Sequence, residues 1–206
     1  MMKKTPIQIL FIVVFLSNCL ILSACAPAEE YPFSPTSLEK RFGDTMEEVV
    51  EDLGIDLSTA EVQEISEEQI DILLPDVTIA ENKNVIGLTM SFYNDIFCYI
   101  SYVSDDAGFM YDYATALCED YEKKYGEDVT DPNWPYLRKN VNREAFLNGN
   151  AEFREQWKIG NKEVSEAVYN GEEIKLQLFL DSIKSENEET VSSGMTIRFA
   201  PLSQAP

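Results

Sequence analysis

The spacing of apolar residues between positions 43 and 54 predicts a helix. Thr45 and Glu48 have the spacing of a capping box, in which each side chain accepts a hydrogen bond from the other residue's backbone N–H. Gly54 follows as the residue that ends the helix. Apolar side chains recur in between at the spacing of one helical face: Met46, Val49, Val50 and Leu53.

The pattern then changes to that of β-strands. IDILLPDVTI is rich in β-branched residues, and VIGLTMSFYNDIFCYISYV contains two strand-like runs joined by a turn at Asn94-Asp95. With Tyr93 opposite Ile96, strict alternation predicts one hairpin face with these side chains: Leu88, Met90, Phe92, Phe97 and Tyr99. The other face would carry Tyr93, Cys98, Ile100 and Tyr102.

A second helix and a second group of strands are predicted after residue 106. GFMYDYATALCEDYEKKYGED has apolar side chains at helical spacing, and Gly126 ends the helix. Those side chains are Met110, Tyr113, Ala114, Leu117 and Tyr121. Strand-like runs then occur near residues 152–159, 164–169, 173–181 and 195–199. The predicted order is helix, about three strands, helix, about four strands.

This order predicts an α+β fold. Residues 38–206 are expected to form one domain with two halves, about 38–105 and 106–206. Each half opens with an acidic helix that ends in an apolar residue plus glycine and continues as an antiparallel meander. The halves are expected to pack as one layered unit of helices and sheet. Its expected core includes Leu53, Phe92, Leu117, Trp157 and Leu178.

Alternation along the last strands separates an inward apolar set from an outward polar set. The inward set is Phe153, Trp157, Ile174, Leu176, Leu178, Leu180, Ile197 and Phe199. The outward set gathers basic residues, two glutamines and one aromatic residue: Arg154, Gln156, Lys158, Lys175, Gln177, Phe179 and Arg198. This face is interpreted either as an ordinary solvated surface or as a surface that binds a partner.

The first 24 residues have the order of a secretory signal. Lys3 and Lys4 precede an apolar stretch, and small residues follow it. The tetrapeptide Leu22-Ser23-Ala24-Cys25 resembles the lipobox of bacterial lipoproteins, which implies that Cys25 receives a diacylglycerol and becomes the N-terminus. The alternatives are an ordinary cleaved signal peptide and a retained membrane helix. Residues 25–37 are proline-rich and are predicted to form a lipidated tether.

Several short motifs in the globular part carry a further resemblance. They are Gly43-Asp44-Thr45, Glu48-Val49, Leu53-Gly54, the SFYND hairpin and the KKYG helix end. Together they resemble small bacterial lipoproteins with the β-lactamase inhibitor protein-like fold, a group that includes small lipoproteins of outer-membrane assembly. The resemblance implies a binding or inhibitory surface on a layered sheet and supplies no catalytic residues. The longer second half departs from the compact assembly lipoproteins.

The net charge of the chain limits the classes of molecule that are expected to bind it. The chain carries 37 acidic and 16 basic residues, a formal net charge of −21 at pH 7. Nucleic acids and anionic membrane surfaces are bound through clustered Lys and Arg, so neither is an expected partner. The acidic cluster at residues 47–52 is instead a candidate surface for a basic partner.

The residues that carry most enzyme chemistry are missing. Histidine is absent, which excludes Ser-His and Cys-His catalysis and removes a common zinc ligand. The chain has no G-x-S-x-G motif, glycine-rich phosphate loop, C-x-x-C pair or EF-hand calcium loop. An enzyme, a metal and a cofactor are therefore not expected, although paired carboxylates leave glycoside hydrolysis open.

Two further groups are candidates for binding or stability. Four aromatic residues around the second helix and the next loop form a candidate stacking platform for a sugar or peptide: Tyr111, Tyr113, Trp134 and Tyr136. The alternative is that they attach the loop to the sheet. Cys98 and Cys118 are expected to form a disulfide in an exported protein, and the alternative is two buried free thiols.

The leading hypothesis is a non-enzymatic, inhibitor-like binding or interaction protein. Cys25 acylation would hold it on the extracytoplasmic face of the cell membrane or outer envelope. Its partner would be a protein or glycan that meets the open sheet. The alternative is a structural or envelope-assembly lipoprotein that docks onto a basic partner through its acidic first half.

Overall fold

The structure, a computed structural model of the chain, describes residues 31–149, 151–184 and 191–203. The predicted signal peptide (residues 1–24) and the predicted lipidation site Cys25 lie outside these ranges. None of the described helices is both long and apolar enough to cross a membrane.

The described strands form one seven-stranded antiparallel sheet. In chain order they are β1 Glu61–Glu64, β2 Gln69–Ala80, β3 Lys83–Tyr93, β4 Ile96–Ser104, β5 Ala151–Ile159, β6 Ile174–Lys184 and β7 Val191–Pro201. Their order across the sheet is β1-β2-β3-β4-β7-β6-β5. The first four strands and the last three are two meanders, which meet where β4 pairs with β7. The predicted α+β fold is confirmed.

Five α-helices accompany the sheet in the described part of the chain. They are α1 Pro35–Leu38, α2 Met46–Leu53, α3 Ala107–Tyr125, α4 Arg143–Leu147 and α5 Lys162–Tyr169. Helix α2 begins with the predicted capping box: Thr45 N donates to Glu48 Oε2 at 2.8 Å, and Glu48 N donates to Thr45 Oγ1 at 3.3 Å. It ends at Gly54, whose φ of 63° lies in the left-handed region that glycine adopts without strain.

Two elements differ from the prediction. Residues 164–169 belong to helix α5 and do not form a strand, because Asn161 caps the helix: its Oδ1 accepts a hydrogen bond from Val164 N at 3.0 Å. Val164 and Val168 are four residues apart, so the same apolar residues also fit a helical face. Strand β1 is additional, since its four exposed residues, EVQE, have no apolar face from which a strand is predicted.

A β-bulge at Cys98 interrupts the central hairpin. The turn and its first pairs are as predicted, and Phe92 lies opposite Phe97. Ser91 then lies opposite Tyr99, so Cys98 is an extra residue on β4. Every β4 residue beyond the bulge therefore changes face relative to strict alternation.

This change corrects the predicted faces of β4. Ile100 and Tyr102 are fully buried, where they lie opposite Met90 and Leu88. Tyr99 lies on the other face of the sheet, although strict alternation places it in the core. The bulge thus gives the core Ile100 and Tyr102, where strict alternation would supply Tyr99, Ser101 and Val103.

Helix α3 covers one face of the sheet, and the core lies between them. The ring of Tyr121 on α3 meets Trp157 on β5 edge-on, with centres 5.1 Å apart. All eight residues of the predicted inward set are buried. Of the five expected core residues, Leu53 is only half-buried, and four are buried: Phe92, Leu117, Trp157 and Leu178.

Residues 31–37 belong to the folded domain, which corrects the predicted tether and the predicted domain start at residue 38. The compact unit begins at Tyr31, and Ser34 and Pro35 are buried. Tyr102 Oη donates to Phe33 O at 2.9 Å. Pro35 fits this folded segment because it is the first residue of α1, where the missing N–H costs no hydrogen bond.

The loop between α3 and α4 runs along the outer edge of β5. Gln156 N donates to Asp128 Oδ1 at 2.9 Å, and Val129 N donates to Gln156 O at 2.8 Å. Arg154 N donates to Tyr136 O at 2.8 Å. Because β5 pairs only with β6, these bonds use backbone groups that have no partner strand. They also fix the loop beside the outward face of the sheet.

Candidate functional site

A groove crosses the face of the sheet opposite helix α3. It consists of two adjoining cavities of about 580 and 310 Å³. Tyr99 and Arg198 line both cavities. The larger cavity lies over β2, β3, β4 and β7, and the smaller one lies over β5, β6 and β7.

Two arginines contact Phe179 in the smaller cavity. Arg154 lies directly opposite Phe179 in the pairing of β5 with β6, and its Cζ is 4.0 Å from the centre of the Phe179 ring. Arg198 approaches the same ring from β7, with its Cζ 4.9 Å from the ring centre. Both distances are within the range of cation–π contacts. The strands thus hold two guanidinium groups against one aromatic ring.

Two buried glutamines fix the position of Arg198. Arg198 Nε donates to Gln177 Oε1 at 2.9 Å, and Gln177 Nε2 donates to Gln156 Oε1 at 3.0 Å. Gln156 and Gln177 are only 2% and 1% exposed, so these hydrogen bonds are shielded from water. No hydrogen bond among the described residues uses the terminal nitrogens of Arg198, which leaves them available to the groove.

The two arginines of the smaller cavity form no ion pair with a described residue. Within residues 31–149, 151–184 and 191–203, neither Arg154 nor Arg198 forms an ion pair. Arg154 Nε is buried without a hydrogen-bond partner in the same ranges. Burial lowers the pKa of Arg154, the charge of Arg198 lowers it further, and the charge of Glu152 offsets part of this decrease. Burial also lowers the pKa of Lys175, as do both arginines. Arg198 therefore disfavours the charged forms of Arg154 and Lys175.

The groove brings together three of the five residues predicted for a partner-binding face, and Lys175 lies on the same face of the sheet without lining either cavity. Arg154, Phe179 and Arg198 are in contact, and Lys175 is buried on the same face of β6. Lys158 is not part of this group. Its side chain is half exposed, and its Nζ lies 2.6 Å from Glu173 Oε1.

The predicted aromatic platform of four residues is wrong, because the four divide into two separate groups. Trp134 and Tyr136 line the smaller cavity, with ring centres 5.8 Å apart, and Trp134 covers Arg154 at 5.2 Å. Tyr111 and Tyr113 lie on α3, on the other side of the sheet, where each contacts another aromatic ring. Only the two loop residues therefore belong to the groove.

Two carboxylates line the smaller cavity on the side away from Arg198. Glu152 on β5 lies directly opposite Asp181 on β6. Burial raises the pKa of Asp181, and the charge of Glu152 raises it further. Asp181 has no ion pair with any described residue. Asp181 was not predicted as a site residue, because one acidic residue among 37 has no local signal in the sequence.

The larger cavity is lined mainly by polar groups. Thr89, Ser91 and Ser101 place hydroxyl groups on its floor. Tyr169 of α5 closes one end, where its Oη donates to Phe199 O at 2.6 Å. Strict alternation assigns Ser101 to the core face, so this cavity follows from the bulge and has no signal in the sequence pattern.

Cys98 and Cys118 are free and buried, which corrects the predicted disulfide. The bulge places Cys98 at the larger cavity, whereas Cys118 of α3 faces the core beside Glu155. The sheet therefore separates the two thiols. Burial raises the pKa of Cys98 to about 11 and also raises the pKa of Cys118, so neither thiol is an activated nucleophile at neutral pH.

The structure gives less support to a metal site and to the acidic cluster at residues 47–52 than to the groove. No group of three or more Cys, Asp or Glu in the described part of the chain is arranged to hold a metal ion. The acidic cluster at residues 47–52 is partly used within the domain, because Glu48 caps α2 and Asp52 pairs with Arg41. These acids lie on the surface and form no cavity with one another that is comparable to the groove.

Comparison with known proteins adds no relative from which a role can be transferred. The likeness to inhibitor-like lipoproteins therefore stays a prediction, and the groove is interpreted from its own geometry. No protein family model, no curated protein and no solved structure matches this chain.

Proposed function

We propose that this protein is a lipid-anchored, non-enzymatic binding protein whose ligand occupies the groove and presents an anionic group to Arg154 and Arg198. One observation carries the proposal: two guanidinium groups lie against Phe179 and form no ion pair with any described carboxylate. Arginine suits this role because its planar, permanently charged group binds carboxylates and phosphates with two parallel hydrogen bonds.

Electrostatics favours an anionic ligand in the smaller cavity. Arg154 and Arg198 repel each other, and an anion between them would offset that repulsion. The attraction is stronger in a partly buried site than in water, because the effective dielectric constant is lower. The chain as a whole has a net charge of −21, so most of its surface repels the same ligand. The end of the groove formed by Arg154 and Arg198 is thus a local exception in an acidic protein.

The site is also preorganised. Arg154, Phe179 and Arg198 come from three neighbouring strands, which hold their backbones rigidly. The hydrogen bond to buried Gln177 limits the rotamers of Arg198 before any ligand arrives. Binding would therefore cost little side-chain entropy, which is a condition for useful affinity.

The groove is tested by crosslinking and affinity capture from intact cells with two matched double variants. Arg154→Ala/Arg198→Ala removes two positive charges from the groove, and Lys158→Ala/Lys162→Ala removes two exposed positive charges outside the smaller cavity. We expect the first variant to lose its crosslinked partner at least about tenfold and the second to keep it, because a charge-assisted hydrogen bond contributes about 1.5–3 kcal/mol. Equal capture by both variants would contradict the groove as the binding site.

The lipid anchor is tested separately. Cys25 lies outside the described residues, and its proposed acylation rests on the lipobox resemblance. Cys25→Ala should abolish incorporation of labelled fatty acid, because the thiol is the acceptor of the diacylglycerol. Cys19→Ala is the matched control, since this cysteine lies within the predicted signal peptide, and it should leave labelling unchanged. Unchanged labelling of Cys25→Ala would refute the lipoprotein proposal.

The alternative is that the acidic first half docks a basic partner in the cell envelope. Only surface charge supports it, and part of that charge is already paired in α2. It predicts that the groove double variant keeps its partner and that neutralising Glu47 and Glu51, which are exposed on α2, removes it.

A further inference from the structure

We infer that the smaller cavity binds a zwitterionic α-amino acid, with its carboxylate at Arg154 and Arg198 and its ammonium group at Asp181 and Glu152. This inference rests on the proposed function and adds the class of ligand. Its central observation is that one cavity is lined by both cations and carboxylates that have no ion-pair partner among the described residues.

The two charged ends are distinct, and no ion pair between described residues joins them. Arg154 is turned toward Trp134 and Phe179, which its guanidinium contacts at 5.2 and 4.0 Å. Asp181 lies beyond Phe179 on β6, where Gly194 of β7 is its cross-strand neighbour. A methyl group at Gly194 would come 2.6 Å from Asp181 Oδ1, so the carboxylate occupies the space that glycine leaves free.

Asp181 has the properties expected of a binding group for an ammonium. Burial and the neighbouring Glu152 both disfavour its charge, and no described cation compensates for them. A bound cation stabilises the charge of a half-buried carboxylate more than that of an exposed one, because the effective dielectric constant is lower. A ligand with an ammonium group would relieve this unfavourable charge.

Distances along the strand fit a small ligand with both charges. Phe179 and Asp181 are two residues apart on one face of β6, which corresponds to about 7 Å. Arg154 lies opposite Phe179 and Glu152 lies opposite Asp181, so the cationic and anionic ends occupy adjacent cross-strand pairs on this face, and one small ligand can contact both. The cavity volume of about 310 Å³ is at the small end of the range for ligand pockets, and it suits one amino acid better than a long peptide.

Aromatic residues indicate where the ligand's side chain would lie. Trp134 and Tyr136 line the cavity from the loop, and Tyr99 lines it from β4. Such rings contact apolar or aromatic side chains through their faces. A purely anionic ligand would use the arginines but would be repelled by Asp181 and Glu152, so the acids favour the zwitterion.

The test is calorimetric titration of the full processed chain in detergent with the proteinogenic L-amino acids. Each amino acid that binds is compared with its N-acetyl derivative, which lacks the ammonium group, and with its amide, which lacks the carboxylate. We expect each derivative to bind at least about tenfold more weakly than the free amino acid, because each loses a charge-assisted hydrogen bond.

Two variants test which side chain binds the ammonium group of the ligand and which binds its carboxylate. Asp181→Asn should weaken binding of the free amino acid at least about tenfold and should not weaken binding of the N-acetyl derivative, which has no ammonium group. Arg154→Gln should weaken binding of the free amino acid and of the N-acetyl derivative and should not weaken binding of the amide, which has no carboxylate. Lys158→Gln and Glu173→Gln alter an ion pair outside the cavity and should leave every affinity unchanged.

Three results would overturn the inference. Equal binding of free and N-acetylated amino acids, with no effect of Asp181→Asn, would identify a simple anion as the ligand and leave the proposed function standing. Tighter binding of tripeptides than of every amino acid would identify a peptide. No binding of any amino acid in the millimolar range would exclude this class, while loss of the captured partner in the groove double variant would still support the proposed function.

Discussion

Replacing Ile100 with aspartate should unfold the protein. Ile100 is fully buried and lies opposite Met90 on β3 and Ile197 on β7. An aspartate here would bury a carboxyl group among apolar side chains without a hydrogen-bond partner. We expect the free energy of unfolding, measured by urea denaturation, to fall by at least about 4 kcal/mol, which is a large part of the stability of a typical domain.

The neighbouring substitution Tyr99→Asp is the matched control. Tyr99 lies in the groove opposite Arg198, where a carboxylate meets water and a guanidinium group. Its expected cost is below about 2 kcal/mol. Strict alternation from the hairpin turn places Tyr99 in the core and Ile100 outside it, so it predicts the reverse order. A larger loss for Tyr99→Asp than for Ile100→Asp would contradict the bulge at Cys98.

Trp157→Ala should cause the largest loss among truncations of the core. Trp157 is fully buried, lies opposite Leu176 and packs edge-on against Tyr121 on α3. The alanine variant loses the contact between the sheet and helix α3 at this position. It also leaves a cavity that the surrounding side chains fill only in part. We expect a loss of about 3–5 kcal/mol in the free energy of unfolding, measured by urea denaturation followed by circular dichroism.

Two further variants define the cause of this loss. Trp157→Phe keeps an aromatic ring and removes the indole Nε1, which has no hydrogen-bond partner among the described residues, so it should cost less than alanine. Lys158→Ala changes the next residue on β5, whose side chain is exposed, and should stay within about 0.5 kcal/mol of wild type. Similar losses for Trp157→Ala and Lys158→Ala would show that Trp157 does not join α3 to the sheet.

Elements with strong local signals were predictable from the sequence. The boundaries of α2 follow from Thr45, Glu48 and Gly54, because caps and terminators act within a few residues of the chain. The inward set of β5, β6 and β7 was equally predictable, since each of these strands keeps regular alternation with its neighbour. Local signals were ambiguous for α5, where two valines fit a short strand as well as a helix.

The bulge could not be predicted from local signals, because its benefit lies in distant partners. Strict alternation would place Ile100 and Tyr102 on the outer face and leave Tyr99 and Ser101 in the core. The bulge instead aligns Ile100 with Ile197 and Tyr102 with Met195 on β7, which is almost 100 residues away in the chain. Burial of these side chains offsets the backbone disruption at Cys98.

The candidate site was predictable only in part for the same reason. Alternation alone placed Arg154, Phe179 and Arg198 on one face, and the structure brings them into contact. The contribution of Trp134 depends on how a long loop follows the edge of β5, and alternation says nothing of loops. Asp181 has no neighbour in sequence that marks it as a binding residue. Its proposed role becomes visible only in the structure, where it lines the same cavity as Arg154 and Arg198.

The loop along β5 also has a consequence for how copies of the protein meet. An open strand edge is a template on which another chain can add a strand. At one side of the sheet the loop already occupies the free backbone groups of Gln156 and Arg154. At the other side β1 has only four residues, two of them the charged Glu61 and Glu64. If the proposed lipid anchor crowds many copies onto one surface, their sheets would therefore stay separate instead of joining edge to edge.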